Sequence, residues 1–161
     1  MKTKKLCVMV LLGILLVSCA GCGSGITKPQ VSYVPADWAL VAETEDDGVG
    51  VLMYMDSEDF DTIAIAYGEI SGLFEGAEPE DMEMLTEISA MLIFEADETG
   101  TMTIDNLTAG YAKAYDSDSD TYDLLIAFTY ENTLVEIIAI YDAPVANEVE
   151  VMSLIESIYM R

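Results

Sequence analysis

The sequence contains no histidine and few basic residues. Its 161 residues include 30 Asp and Glu against 6 Lys and Arg, which gives a formal net charge of −24. Without an imidazole the chain cannot form a Ser-His-Asp triad, a Cys-His dyad or a His-ligated zinc or haem site. Beyond the first five residues its bases are Lys28, Lys113 and Arg161, too few and too scattered to neutralise phosphates. Nucleic acid is therefore not an expected partner, and no cofactor is expected.

Cysteine is confined to the first 22 residues, as Cys7, Cys19 and Cys22. The rest of the chain accordingly has no disulfide, no thiolate metal site and no cysteine nucleophile. Its stability must come from core packing.

The N-terminus has the pattern of a secretory signal. Lys2, Lys4 and Lys5 precede an apolar run, Leu6–Val17, that is too short for a membrane-spanning helix of about 20 residues. We therefore predict a signal peptide at residues 1–18.

The end of this segment is typical of a lipobox. In Leu16-Val17-Ser18-Cys19, the Leu stands three residues before the Cys, and the small residue Ser18 directly precedes it. Cys19 is therefore the expected site of acylation, including palmitoylation. Two or three acyl chains hold a protein on a membrane far better than one. Cys22 is the alternative site of acylation. A further alternative is that the segment is an ordinary signal peptide cleaved near Ala20. The expected location is the extracytoplasmic side of a bacterial or archaeal membrane.

The remaining chain divides into a short tether and one domain. Residues 19–31 are expected to comprise the lipidated cysteine and a flexible tether, because the stretch contains Gly, Ser and Pro. Residues 32–161 are expected to form a single acidic α+β domain, long enough to bury about two-thirds of its chain surface.

Alternating and apolar runs predict six strands and two helices. The strands are expected near 38–43, 49–55, 62–70, 107–116, 122–131 and 133–141, with a small additional strand at Thr101–Ile104. A helix over 79–93 is expected to bury Met82, Leu85, Ile88 and Leu92. A closing helix is expected to have Asn147 as its N-cap, with Glu150 completing a capping box, and to bury Val151, Leu154, Ile155 and Ile158.

This order predicts an antiparallel sheet packed with two amphipathic helices, because each helix has an apolar stripe that must be covered. The pattern does not decide whether both helices share one face. If they cover opposite faces, the fold is an α/β/α sandwich.

Several short segments are similar to the PsbP-like superfamily. They are Tyr33–Trp38 (YVPADW), the strand containing Gly110, the final hairpin, and the closing Leu154–Tyr159 (LIESIY). The resemblance implies an antiparallel sheet between helices and a non-enzymatic accessory or binding role. The family has no shared catalytic set, so the resemblance assigns no functional residue here.

Two clusters are candidate sites. Asp116, Asp118, Asp120 and Asp123 have part of the spacing of a calcium loop, but Thr121 replaces the required Gly and Ala127 the required Glu, so a solvated hairpin tip is the simpler interpretation. Tyrosines on neighbouring strands could stack sugars or peptides, or lie partly buried beneath a helix; they are Tyr111, Tyr115, Tyr122, Tyr130 and Tyr141. Asn106 begins an N-glycosylation sequon.

These features favour a membrane-anchored extracytoplasmic lipoprotein that acts as a non-catalytic binding or accessory domain. Its expected partners are the membrane and an envelope protein or a small ligand. Two alternatives stay open: a carboxylate-dependent hydrolase of envelope polymers, and a structural envelope component that self-associates through a sheet edge.

Overall fold

The computed structural model describes residues 25–46, 48–70 and 76–161. The predicted signal peptide, Cys19 and Cys22 lie outside these residues. The strands within them are β1 (Gln30–Val31), β2 (Trp38–Asp46), β3 (Val49–Asp56), β4 (Thr62–Glu69), β5 (Glu98–Ile104), β6 (Leu107–Asp116), β7 (Thr121–Tyr130), β8 (Thr133–Asp142) and β9 (Ile158–Tyr159). The helices are α1 (Met82–Ala90), preceded by a 3-10 turn (Pro79–Asp81), and α2 (Val145–Glu156).

Seven strands form one antiparallel sheet in the order β2-β3-β4-β8-β7-β6-β5. Two meanders, β2-β3-β4 and β5-β6-β7-β8, meet where β4 pairs with β8, with Ile65 opposite Ile137. The small strand predicted at Thr101–Ile104 is the second half of β5, which begins at Glu98. The α+β class and the antiparallel sheet are therefore as the sequence predicts.

The helix α2 covers the face of the sheet that carries the larger side chains. Val151, Leu154 and Ile155 of α2 are fully buried in one cluster with Ile65 of β4 and Ile137 of β8. Trp38 is also buried in this cluster, and its Nε1–H donates to Glu150 of α2 at 3.2 Å. Complete burial of one such aliphatic side chain contributes about 1.5–3 kcal/mol, so this layer is the main core.

The helix α1 packs against the opposite face, where the sheet side chains are smaller. Its Met82 and Leu85 cluster with Ala66 and Ala127, and its Ala90 clusters with Ala112. The two helices thus lie on opposite faces, and the fold is an α/β/α sandwich.

The buried stripe predicted for α1 is wrong at two of its four positions. Met82 and Leu85 are buried, but Ile88 and Leu92 are exposed. The sheet is contacted instead through Thr86, Ser89 and Ala90, all buried. Small side chains here allow the helix backbone to lie close to the sheet, which the spacing of large residues does not reveal.

The predicted N-cap of α2 is also wrong. The helix begins at Val145, and Pro144 occupies the cap position in an extended conformation. Asn147 instead donates its side-chain N–H to Asp61 Oδ2 at 2.7 Å. Asp61 is buried, although its sequence context is that of a solvated acidic turn, and its Oδ1 accepts the N–H of Asp142 at 2.9 Å. The Asp61 carboxylate therefore joins the end of β8 to the first turn of α2.

The chain already contacts the sheet ahead of residue 32, within the stretch expected to be a tether. Ile26 packs against the main core, and the Thr27 N–H donates to Thr133 Oγ1 at 2.8 Å. Gln30 and Val31 then pair with Tyr159 and Ile158 to form the small β1-β9 sheet. Neither helix of the described residues has the length and apolar character needed to cross a membrane.

Candidate functional site

The candidate site is a groove between α2 and strands β5 and β6, which we call the α2 groove. Its volume is about 390 Å³. It is lined by Glu98, Met102, Tyr111, Lys113, Leu124, Tyr141, Glu148, Met152 and Glu156. Apolar and aromatic walls with a few charged groups are typical of a small-ligand site.

Alternation along β6 explains why these residues meet. Tyr111, Lys113 and Tyr115 share one face of the strand, and their partners across the β6-β7 register are Ile126, Leu124 and Tyr122. Leu124 and Ile126 belong to the core beneath α2. The same period-2 pattern that builds the core therefore directs the polar ends of these side chains to its rim.

Three tyrosines form a row across the strands at this rim. Tyr115, Tyr122 and Tyr141 are register partners on β6, β7 and β8. The ring centres of Tyr115 and Tyr122 are 5.3 Å apart, and those of Tyr122 and Tyr141 are 5.6 Å apart. Tyr141 is buried, Tyr122 is half-buried and Tyr115 is exposed. The sequence left two interpretations of the tyrosines, exposed stacking surfaces or partial burial beneath a helix. Partial burial describes this row.

Lys113 lies across the row and is paired with α2. Its Nζ is 4.2 Å from the centre of the Tyr122 ring and donates to Glu148 Oε1 at 2.5 Å. Burial lowers the pKa of Lys113, but the bond to Glu148 and nearby negative charge outweigh it, so the net shift is upward. The groove thus already holds one cation against an aromatic ring and a carboxylate.

The hydroxyl groups of the groove are held in their neutral form. Burial raises the pKa of Tyr141 to about 12, although the Lys113 charge acts in the opposite direction. The Tyr111 hydroxyl donates to Glu98 Oε1 at 2.7 Å, and this bond is the main reason its pKa is raised. At neutral pH these phenols are hydrogen-bond donors and ring surfaces, not nucleophiles.

The four calcium candidates do not share one environment. Asp118 and Asp120 are exposed at the tip of the β6-β7 turn, whereas Asp123 is buried within β7. Asp120 accepts the Tyr115 hydroxyl at 2.7 Å, and Asp116 accepts the N–H of Asp118 at 2.9 Å. Within the part of the chain that the structure describes, no three Asp, Glu, Cys or His side chains are arranged to hold a metal ion.

Asn106 lies on the tight turn between β5 and β6 and is exposed. Both turn residues, Asp105 and Asn106, have positive φ, of 48° and 66°. This conformation matches the twist of a two-residue hairpin, for which Asn and Asp are favoured.

A buried carboxylate on the other face escaped sequence analysis. Glu136 of β8 lies between Ala66 of β4 and Ala127 of β7, on the face covered by α1. It is fully buried, and among the described residues neither of its carboxylate oxygens has a hydrogen-bond partner. Burial raises its pKa to about 8. One acidic residue within the apolar run TLVEIIAIY is the signal that could have identified it.

Comparison with known proteins identifies the fold. No family model matches the chain, and no curated protein is similar to it in sequence. Among solved structures, LpqN of Mycobacterium tuberculosis, described as involved in cell envelope biogenesis, is 12% identical with a TM-score of 0.57, covering 88% of each chain. The cyanobacterial PsbP protein CyanoP from Synechocystis is 13% identical with a TM-score of 0.52, covering 91% of this chain and 99% of its own. At these identities the likeness concerns the fold alone, and the chain has a PsbP-like fold.

Proposed function

We propose that this protein is a lipid-anchored extracytoplasmic lipoprotein whose domain is a non-catalytic binding or accessory module. The sequence Leu16-Val17-Ser18-Cys19 supports the anchor, and the α2 groove is the observation that carries the binding role. The description of LpqN as involved in cell envelope biogenesis supports the proposed location by analogy of fold.

The groove favours a ligand that combines a positive charge with an apolar body. Three of its lining residues are glutamates, and Met102 and Met152 supply adaptable apolar surface. The Lys113 side chain already binds in this way, with its charge on Glu148 and its Nζ over a tyrosine ring. An amine or guanidinium group reaching Glu98 or Glu156 would repeat that arrangement.

The ligand class can be tested by NMR titration of the isotope-labelled full chain with three probes: a hydrophobic amine, a neutral disaccharide and a fatty-acid anion. We expect the amine alone to shift the backbone amide resonances of Tyr111, Lys113 and Tyr141. Replacement of one groove carboxylate, Glu156→Gln, should weaken amine binding several-fold.

A matched control is Glu131→Gln, which removes the same charge from the exposed turn between β7 and β8. It should leave amine binding unchanged. Equal weakening by both variants would mean that the amine responds to net charge and not to the groove, and would remove the ligand assignment.

The anchor is tested separately with a clickable fatty acid fed to expressing bacterial cells. We expect incorporation into the wild-type chain and the Cys22→Ser variant, and loss of label from Cys19→Ser. Label that persists in Cys19→Ser and disappears in Cys22→Ser would move the site to Cys22. A chain that carries no label in any form would contradict the anchor.

The hydrolase alternative needs two carboxylates that converge in an open cleft, at least one with a raised pKa. In the described residues, Glu136 combines a raised pKa with burial beneath α1, whereas the open groove lies under α2 on the other face. Glu148 of the groove is paired with Lys113, and Glu98 accepts a tyrosine hydroxyl. This separation of the perturbed carboxylate from the groove favours binding over hydrolysis.

A further inference from the structure

A row of large apolar side chains on α1 and the turn after it faces solvent. Met84, Ile88, Met91 and Leu92 have 55%, 39%, 75% and 58% of their surface exposed. We call these four residues the α1 stripe. Met84 and Ile88 are one turn apart on α1. Met91 and Leu92 follow its last residue, and the Met91 N–H still donates to the Glu87 carbonyl, so the helical spacing continues through Met91.

Among the described residues, this side of α1 belongs to none of the core clusters. The sheet is contacted by Met82, Leu85 and Ala90, together with the buried polar residues of the same helix. The helix therefore has two apolar sides, one packed and one exposed. Four neighbouring exposed apolar side chains of this size are a feature of interaction sites, unlike single exposed residues.

The surroundings of the stripe carry one sign of charge. Glu80, Glu83, Glu87 and Glu95 lie within or close beside this stretch of the sequence, and all four are exposed. Between Lys28 and Lys113 the sequence has no lysine or arginine. An apolar stripe with an acidic border is complementary to an apolar surface with a basic border.

This charge argues against a second copy of the same chain. Association of two stripes would place glutamates of both copies side by side. Lys28 and Lys113, the bases nearest in sequence, are already paired with Glu43 and Glu148. Like charges brought together at an interface cost several kcal/mol, so self-association here is disfavoured.

The same charge argues against a lipid surface. Helices that lie in a membrane interface carry Lys and Arg on their polar side, which are drawn to anionic headgroups. The border of the α1 stripe is acidic and would be repelled.

We propose that the α1 stripe is the docking surface for a different protein, one whose apolar groove is bordered by lysine and arginine. The arrangement is that of an amphipathic helix bound in a groove, with anchors at the first, fifth, eighth and ninth positions. The stripe and the α2 groove lie on opposite sides of the sheet, so this partner and the groove ligand would occupy different faces of the domain.

The test uses the full chain and designed peptides as probes. A helical peptide with one face of leucine bordered by lysine is compared with a leucine-to-serine version of equal charge and a lysine-to-glutamate version. We expect the first peptide to bind at least tenfold more tightly than either other, by fluorescence anisotropy. The Met84→Ser/Ile88→Ser variant should lose at least tenfold of this affinity.

The matched control is Val149→Ser, which alters an exposed apolar residue of α2, 59% exposed, on the other side of the molecule. It should bind the peptide as the wild type does. Circular dichroism should show the same helix and sheet content for all variants, with a modest fall in the melting midpoint of Met84→Ser/Ile88→Ser because Ile88 is only 39% exposed. Glu87→Gln keeps the apolar stripe but removes one negative charge from its border. This variant should bind the lysine-bordered peptide less tightly, and its affinity should depend less on salt concentration.

Three results would overturn the proposal. The first is unchanged peptide affinity in Met84→Ser/Ile88→Ser. The second is a dimer in sedimentation that the same double variant abolishes, which would make a second copy the occupant. The third is stripe-dependent binding to phosphatidylcholine vesicles without preference for the basic peptide, which would make a lipid surface the occupant.

Discussion

At the scale of single residues, Glu136 is the side chain least suited to its surroundings. It lies among apolar side chains, and burial raises its pKa from 4.5 to about 8. The folded state therefore holds a proton on this carboxyl at neutral pH, whereas the unfolded chain does not. Between pH 4.5 and about 8, unfolding releases this proton, so the free energy of unfolding falls as the pH rises.

Glu136→Gln should remove this dependence while it preserves side-chain volume. We expect the variant to be more stable than the wild type above pH 8, with a gain of at most roughly 5 kcal/mol from 1.36 kcal/mol per pKa unit. At pH 4 the two should be nearly equal. Urea denaturation at several pH values measures both quantities.

Comparison with Glu131→Gln distinguishes the effect of the buried Glu136 carboxyl on stability from the effect of removing any one acidic charge. Glu131 is exposed, so its replacement should leave the slope of stability against pH close to that of the wild type. If Glu136→Gln also left the slope unchanged, the buried carboxyl would not be the titrating group.

At the scale of elements, the position of α1 depends on Gly110 of β6, which has no side chain. A Cβ added to Gly110 of β6 would lie 2.1 Å from the Met82 carbonyl oxygen and 2.4 Å from Thr86 Oγ1. The carbonyl belongs to the helix backbone and cannot move without moving α1. Thr86 Oγ1 donates to that carbonyl at 2.7 Å within the helix, so both atoms that the added Cβ would meet belong to the first turn of α1.

Gly110→Ala should therefore displace α1 and destabilise the protein by about 2 kcal/mol or more, in the range of overpacked cores. Gly100→Ala is the control, because its added Cβ would meet the end of the Tyr111 ring at 2.9 Å, which can turn aside. Thermal denaturation of both variants gives the difference. Equal losses would show that the close approach of α1 is not the cause.

Elements with strict alternation or a regular large-residue stripe could be predicted from sequence. The strands β4, β7 and β8 are confirmed, and so are Val151, Leu154 and Ile155 of the buried stripe predicted for α2. The fourth residue of that stripe, Ile158, is buried as predicted but lies in β9, because α2 ends at Glu156. The orientation of α1 could not be predicted, because its contacts depend on small residues that fit over Gly110. The cap of α2 was missed since Asn147 is engaged by Asp61, which is distant in sequence.

At the scale of the whole molecule, the excess of negative charge is the main physical constraint. With a net charge of −24, the exposed carboxylates repel one another in the folded state. The exposed edge strand β2 carries Glu43, Glu45 and Asp46. Charge on an edge strand discourages pairing with another chain, which weighs against self-association through β2.

Salt should stabilise the domain because it screens this repulsion. The screening length falls from about 10 Å at 0.1 M to about 3 Å at 1 M salt. We expect the urea midpoint to rise between low salt and 1 M NaCl, and to rise less in a variant with Glu80, Glu83 and Glu87 changed to Gln. A midpoint that stays flat, or rises equally in both, would contradict this explanation.

The fold was more predictable than the candidate site. Local periodicity gave the order of strands and helices, while the α2 groove depends on which residues of β5, β6 and α2 meet across the sheet. Tyr111 and Tyr141 were identified as candidates, but Lys113 and Glu148 were not, because their pairing joins positions far apart in the chain.

The small β1-β9 sheet fixes where the polypeptide enters and leaves the domain. Gln30 lies opposite Tyr159 and Val31 opposite Ile158, and Ser32 donates its backbone N–H to Ser157. At this small sheet the incoming and outgoing strands of the domain therefore lie side by side, and Ile26 and Met160, the residues beyond it on either side, still pack against the main core. If the leading segment is attached to a bilayer, a reporter fused behind the last strand would be held close to that bilayer, whereas the turn between β6 and β7 offers an insertion point away from this junction.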